Sequence, residues 1–184
     1  MVINNLANFF TLTRIFLAPI IFIFILESST HIIALILFVF ASLTDYLDGY
    51  FARKNNSVSD IGEVLDPIAD KILIVFIFFA LAVYLNSYLI AFAAATIVMR
   101  EIWIGALREL NARNLNNDAT KVIYIAKIKT TIQLITIGFY LLGLAFNNML
   151  IVVIADILII ISLLITLYTG FIYTFNTIKH YKSN

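Results

Sequence analysis

The chain has 184 residues, 62% of them hydrophobic and 12% charged, with a mean hydropathy of +1.02 and a net charge of +1. A water-soluble domain of this size cannot cover that much apolar surface, so the composition points to one integral membrane domain spanning residues 1–184, with about six helices by length. The absence of Cys excludes disulfides, thiolate metal sites and Cys nucleophiles, and His31 and His180 lie too far apart to suggest a His-based zinc site.

Residues 1–13 mix Val2, Leu6, Phe9 and Phe10 with Asn4, Asn5 and Asn8, a helical spacing that predicts a short amphipathic helix on the membrane surface. This N-terminus has no basic region or small-residue cleavage signal, and is read as retained. Apolar runs follow at Ile15–Leu26, Ile32–Thr44, Ile72–Leu85, Tyr88–Met99, Thr130–Phe146 and Met149–Ile178. Polar turns at 27–31, 86–87 and 147–148 and loops at 55–59 and 111–121 separate them. Several runs are shorter than the roughly 20 residues a spanning helix needs. They must therefore borrow charged turns: Asp48 and Gly49 on the second span, Asp66 and Asp70 on the third, Arg100, Glu101 and Arg108 on the fourth, Lys127 and Lys129 on the fifth. Charge within a span is tolerated where it faces a hydrated cavity. The predicted fold is an all-α bundle of six transmembrane helices preceded by the interfacial helix.

All twelve Lys and Arg fall on one side of that bundle, and the three opposite turns carry none. The positive-inside rule makes that side cytoplasmic, with both termini inside and the protein multi-pass in the inner membrane.

Four carboxylates concentrate near the cytoplasmic ends of spans two and three. Asp45 and Asp48 are three apart, Asp66 and Asp70 four apart, so each pair shares a helix face. A short loop joins the two spans, which predicts antiparallel neighbours whose Asp pairs converge. Anions this close need positive charge, and an oxygen-only set suits two hard divalent cations, Mg²⁺ or Mn²⁺. Gly49 and Gly62 allow a ligand close to the backbone, and Arg53 can fork onto a phosphate. Pro67 predicts a helix start close by. A cation transporter or a proton relay would also use carboxylates, but neither explains the Gly, Ala and Arg offsets.

Those offsets carry a resemblance. Asp45-x-x-Asp48-Gly49-x-x-Ala52-Arg53, eight residues, then Gly62-x-x-x-Asp66-x-x-x-Asp70 resembles the signature of the CDP-alcohol phosphatidyltransferase family. The resemblance implies a six-helix membrane enzyme that transfers a phosphatidyl group from CDP-diacylglycerol to an alcohol and releases CMP. It also implies that Asp45, Asp48, Asp66 and Asp70 bind two metal ions. Asp70 is then the general base, and Asp48, Gly49, Ala52, Arg53 and Gly62 contact the CDP-lipid. A homodimer is a further family-level expectation.

The acceptor is read from cations at the same depth. Arg100, Arg108, Lys127 and Lys129 suit an anionic alcohol, with lipid contact and topology as the plainer explanation. Lys127 and Lys129, two apart, cannot share a face, so one of them is expected at lipid headgroups. Further pieces resemble the branch of the family that uses sn-glycerol 3-phosphate: Asn8-x-x-Thr11-x-x-Arg14 with Pro19, Asp66-Pro67-x-Ala69-Asp70-Lys71, Arg100-Glu101 with Arg108, and Lys127-x-Lys129-Thr130 with Gln133. Ala7 and Ala126 depart from that pattern without removing a charge. Inositol phosphate, serine and phosphatidylglycerol stay open as acceptors. Asp156, alone in the last span, is expected near the outer mouth or paired with a polar neighbour.

Overall fold

The computed structural model describes the backbone over residues 2–55, 60–113 and 124–183, and side chains over 11–44, 65, 67–113 and 128–179. Among the described residues the chain is all-helical: α1 (Val2–Leu26), α2 (His31–Asn55), α3 (Asp60–Tyr84), α4 (Tyr88–Arg113), α5 (Tyr124–Ala145) and α6 (Met149–Ser183), with a 3₁₀ turn at Ser28–Thr30. Stretches of α3 to α6 are long and apolar enough to cross a membrane: Pro67–Tyr84, Tyr88–Arg113, Ile128–Ala145 and Met149–Lys179. The apolar parts of the first two helices are shorter, Thr11–Leu26 and Ser28–Thr44.

Two expectations about helix ends change. Residues 2–13 do not form a separate element, because α1 runs unbroken from Val2 to Leu26. Pro67 does not mark a helix start, because α3 begins at Asp60 and holds Pro67 in its interior. Pro67 has no N–H to offer the carbonyl one turn back, and a helix packed among neighbours tolerates that single loss.

The helices close into a ring in which α1 packs on α2 and α3, α3 on α4, α4 on α6, α6 on α5, and α5 on α2, with α3 also touching α5 across the middle. The expected direct pairing of α2 with α3 is not among the main packings of the described residues; both lie against α1. Small side chains explain this. Ala18, Ala34, Ala41, Ala69 and Ala80 are buried on α1, α2 and α3, and small residues let helix backbones approach closely in a bilayer. The outward positions, by contrast, are large and apolar: Phe16, Ile23, Val83, Phe92, Leu150 and Phe171 are all exposed. That inside-out pattern suits lipid.

Two of the turns opposite the charged side are built alike. Asn86 and Asn147 adopt left-handed φ of 48° and 49°. The Ser87 amide donates to the Ala82 carbonyl at 3.1 Å and the Asn148 amide to the Gly143 carbonyl at 2.8 Å, each closing its helix in a Schellman motif. Asn supplies the left-handed residue that Gly usually would. Gly143 is needed for a different reason: a Cβ there would lie 2.7 Å from Val152 Cγ2 and 3.1 Å from the Val152 amide. At the third turn, buried His31 shares a hydrogen bond with the Ile25 carbonyl at 3.1 Å and meets the Tyr84 ring edge-on.

Several threonines inside the bundle satisfy themselves locally. Thr96, Thr136, Thr169 and Thr177 each donate to a carbonyl one turn back, at 2.7–3.0 Å. Asp156 accepts from Tyr140 Oη at 2.6 Å, so it is paired with a polar neighbour, as expected.

Candidate active site

On the charged side of the ring a cavity of about 150 Å³ opens between α3, α4 and α5. Asp70 and Lys71 enter it from α3, Glu101 from α4, and Lys129, Thr130 and Gln133 from α5, over an apolar floor of Ile74, Val75 and Ile97. Asp70 follows Ala69, which is buried against the bundle, and lines the cavity beside Lys71.

Behind Asp70 stands Arg14 of α1. Its side chain is wholly buried, and its Nη1 donates to Asp70 Oδ1 in an ion pair. A guanidinium taken fully out of solvent requires such a partner. Asp70 itself keeps a third of its side chain exposed to the cavity.

Across the cavity Glu101 gathers three cations from three helices. Its Oε1 accepts from Lys129 Nζ and from Arg100 Nη1, the latter at 2.8 Å, while its Oε2 lies 3.2 Å from Lys71 Nζ. Lys129 and Arg100 are buried; Lys71 is about half exposed.

The structure thus brings together Asp70 and Lys129 of the residues singled out in the sequence. Arg100 shares the Glu101 oxygen with Lys129 on one side and faces α6 on the other, while Arg108 lies toward α6. Arg100 Nη2 reaches Thr169 Oγ1 at 3.3 Å, and its guanidinium lies 5.6 Å from the centre of the Tyr173 ring. Exposed Arg108 lies 6.0 Å from the same ring. Asp45, Asp48, Gly49, Ala52 and Arg53 stand on the last turns of α2, Gly62 and Asp66 on the first turns of α3, and Lys127 on the first turn of α5. Their side chains lie outside the described residues. The helical backbone through all four Asp positions leaves the three- and four-residue spacings as one-turn spacings. Among the described residues no three carboxylate or imidazole groups gather as a metal site, because three of the four Asp fall outside them. The donor set itself, carboxylates without His or Cys, fits a hard divalent cation.

Two residues carry more of the geometry than the sequence reading gave them. Arg14 and Glu101 appeared there only as parts of a pattern, without roles. The signal for both was charge at helix depth, since neither can face lipid and each must meet an opposite charge inside the bundle.

Fold and site together define a helical membrane protein with an acidic and cationic cavity open on its charged side. A model of the CDP-alcohol phosphatidyltransferase family matches residues 4–169, and the chain belongs to that family. Similar proteins include the CDP-diacylglycerol–glycerol-3-phosphate 3-phosphatidyltransferase of Rickettsia felis, 34% identical over 181 residues, 97% of each chain. The protein of the same name from Wigglesworthia glossinidia brevipalpis is 36% identical over 135 residues, 72% of this chain and 74% of its own. The one from Salmonella choleraesuis is 33% identical over 139 residues, 74% of this chain and 76% of its own.

Proposed function

We propose that the protein transfers the phosphatidyl group of CDP-diacylglycerol to sn-glycerol 3-phosphate, forming phosphatidylglycerophosphate and CMP. The observation that carries this reading is the cavity that faces Asp70 with Lys129 and Lys71: one wall can take a proton and the other can hold an anion. The names of relatives similar over nearly the whole chain support the same donor and acceptor.

Asp70 is the general base. The acceptor hydroxyl loses its proton to the Asp70 carboxylate while its oxygen forms a bond to the phosphatidyl phosphorus. The bond from that phosphorus to the CMP oxygen breaks, and CMP leaves with the electron pair. Arg14, bonded to Asp70 Oδ1, fixes the carboxylate's direction. Asp45, Asp48, Asp66 and Asp70 are the residues that would hold two divalent cations, Mg²⁺ or Mn²⁺, which when bound neutralise the diphosphate and the leaving phosphate. Asp48, Gly49, Ala52, Arg53 and Gly62 are the residues assigned to the CDP group, and Lys129 leads the binding of the acceptor phosphate, with Arg100, Arg108 and Lys127 as its further candidates.

The chain crosses the inner membrane six times. α1 and α2 are 25 residues each, about 37 Å at the helical rise, so their length suffices although their apolar parts are short. The twelve Lys and Arg are the basis for reading the site and both termini as cytoplasmic.

The test is acceptor-dependent CMP release by the purified protein in detergent with Mg²⁺ and CDP-diacylglycerol. Glycerol 3-phosphate should raise release by about 10²-fold or more over the acceptor-free background, in the range that a positioned base contributes. Absence of stimulation by any alcohol, with robust divalent-cation uptake into vesicles, would replace the transferase reading with a transporter.

A further inference from the structure

The Glu101 cluster has a feature that the reaction does not require by itself: a carboxylate in the half of the cavity that should attract an anion. We infer that Glu101 is a positioning residue for the acceptor phosphate, holding Lys129 and Lys71 in the places where they meet it; this rests on the proposed use of a phosphorylated acceptor.

One carboxylate serves Lys71 from α3, Arg100 from its own helix and Lys129 from α5. It therefore ties together the three helices that line the cavity. Two of the three positive charges remain uncompensated within the cluster, and a phosphate monoester carries about −1.5 to −2 at neutral pH. The surplus matches a phosphate and exceeds what a neutral alcohol can use. Geometry makes the carboxylate necessary. Lys129 Nζ and Arg100 Nη1 converge on the same oxygen, Oε1. Two cations brought that close repel unless an anion lies between them. Lys129 is buried on a flexible stem, and its ammonium needs a fixed partner. Arg100 is held from behind by Thr169 and the Tyr173 ring. Removing the carboxylate therefore displaces Lys129 rather than Arg100. Glu101 reaches no reacting atom itself; it acts through the lysines.

Two effects oppose one another when Glu101 is neutralised. Losing a negative charge makes the cavity more attractive to any anion, whereas losing the anchor scatters the lysines that bind this one. The inference is that the second dominates. The experiment compares wild type, Glu101→Gln, Glu101→Asp, Lys129→Gln and the double variant, measuring kcat and both KM values in detergent. Glu101→Gln should raise KM for glycerol 3-phosphate at least tenfold and leave KM for CDP-diacylglycerol within twofold. Glu101→Asp should recover part of the loss, and the double variant should lose clearly less than the two single effects combined, because Glu101 acts in part through Lys129. A lower KM for glycerol 3-phosphate in Glu101→Gln, a parallel rise of both KM values, or additive effects in the double variant would overturn the inference. If Glu101→Gln does not fold, Glu101→Asp carries the same split: a selective rise supports the role and a parallel rise refutes it. Inorganic phosphate as an inhibitor separates this inference from the acceptor assignment. Should wild type prefer another alcohol, at least tenfold weaker phosphate inhibition in Glu101→Gln would still support the positioning role, and unchanged inhibition would overturn it.

Discussion

Replacing Asp70 with Asn should lower kcat by about 10³-fold while CDP-diacylglycerol still binds, because a positioned general base contributes on the order of 10²–10⁴ and an amide cannot accept the acceptor's proton. The substitution keeps the shape of the side chain and one oxygen for Arg14 to bond. What it removes is the negative charge opposite a fully buried guanidinium. A modest fall in stability, about 1–3 kcal/mol, should therefore accompany the catalytic loss, visible as earlier thermal unfolding in detergent. The two effects separate cleanly: binding of the CDP-lipid at low temperature reports a folded site, and turnover at the same temperature reports the base. Near-normal turnover in that variant would take Asp70 out of the base role.

Removing divalent cations should be as severe. With excess chelator, turnover should fall about 10³-fold, since neutralising a developing phosphate charge is worth several kcal/mol and each 1.36 kcal/mol is tenfold in rate. Mg²⁺ or Mn²⁺ should restore it. Asn at Asp45, Asp48 or Asp66 should each shift the concentration of Mg²⁺ needed for half-maximal rate upward, as expected when one carboxylate is lost from a hard-cation site. Full activity after exhaustive chelation would remove the metal from the reaction.

Much of this was legible from residue order. The six helices of the described residues and the three turns without Lys or Arg could be read from apolar run lengths, because each follows from local chemistry along the chain, and a lone acid in an apolar span, Asp156, had to meet a polar neighbour, which Tyr140 of α5 supplies. The helix ends were harder. Pro67 reads as a start signal, yet α3 continues seven residues before it, since a membrane helix tolerates one missing amide when its neighbours pack closely. The continuity of α1 through residues 2–13 was equally hidden, because an amphipathic stretch and a spanning helix share the same helical period. Packing partners were least legible: among the described residues α2 and α3 have no main packing with one another, and α1, with its buried Ala18, lies against both. In the site, single residues were visible and their pairings were not. Arg100, Arg108 and Lys129 stand out as charges at depth, but only the fold sends Lys129 toward Asp70 and the two Arg toward Tyr173. Glu101 was overlooked because a lone acid beside a basic residue reads as an ordinary pair, whereas its partners come from three helices.

The most direct measurement is product identity under competition. Detergent-purified protein, Mg²⁺ and CDP-diacylglycerol are incubated with glycerol 3-phosphate, inositol phosphate, serine and phosphatidylglycerol together at equal concentration, and the lipids are identified by mass spectrometry. Phosphatidylglycerophosphate formed in step with CMP is the predicted result. A lipid bearing another headgroup, or CMP without any new phospholipid, would contradict it.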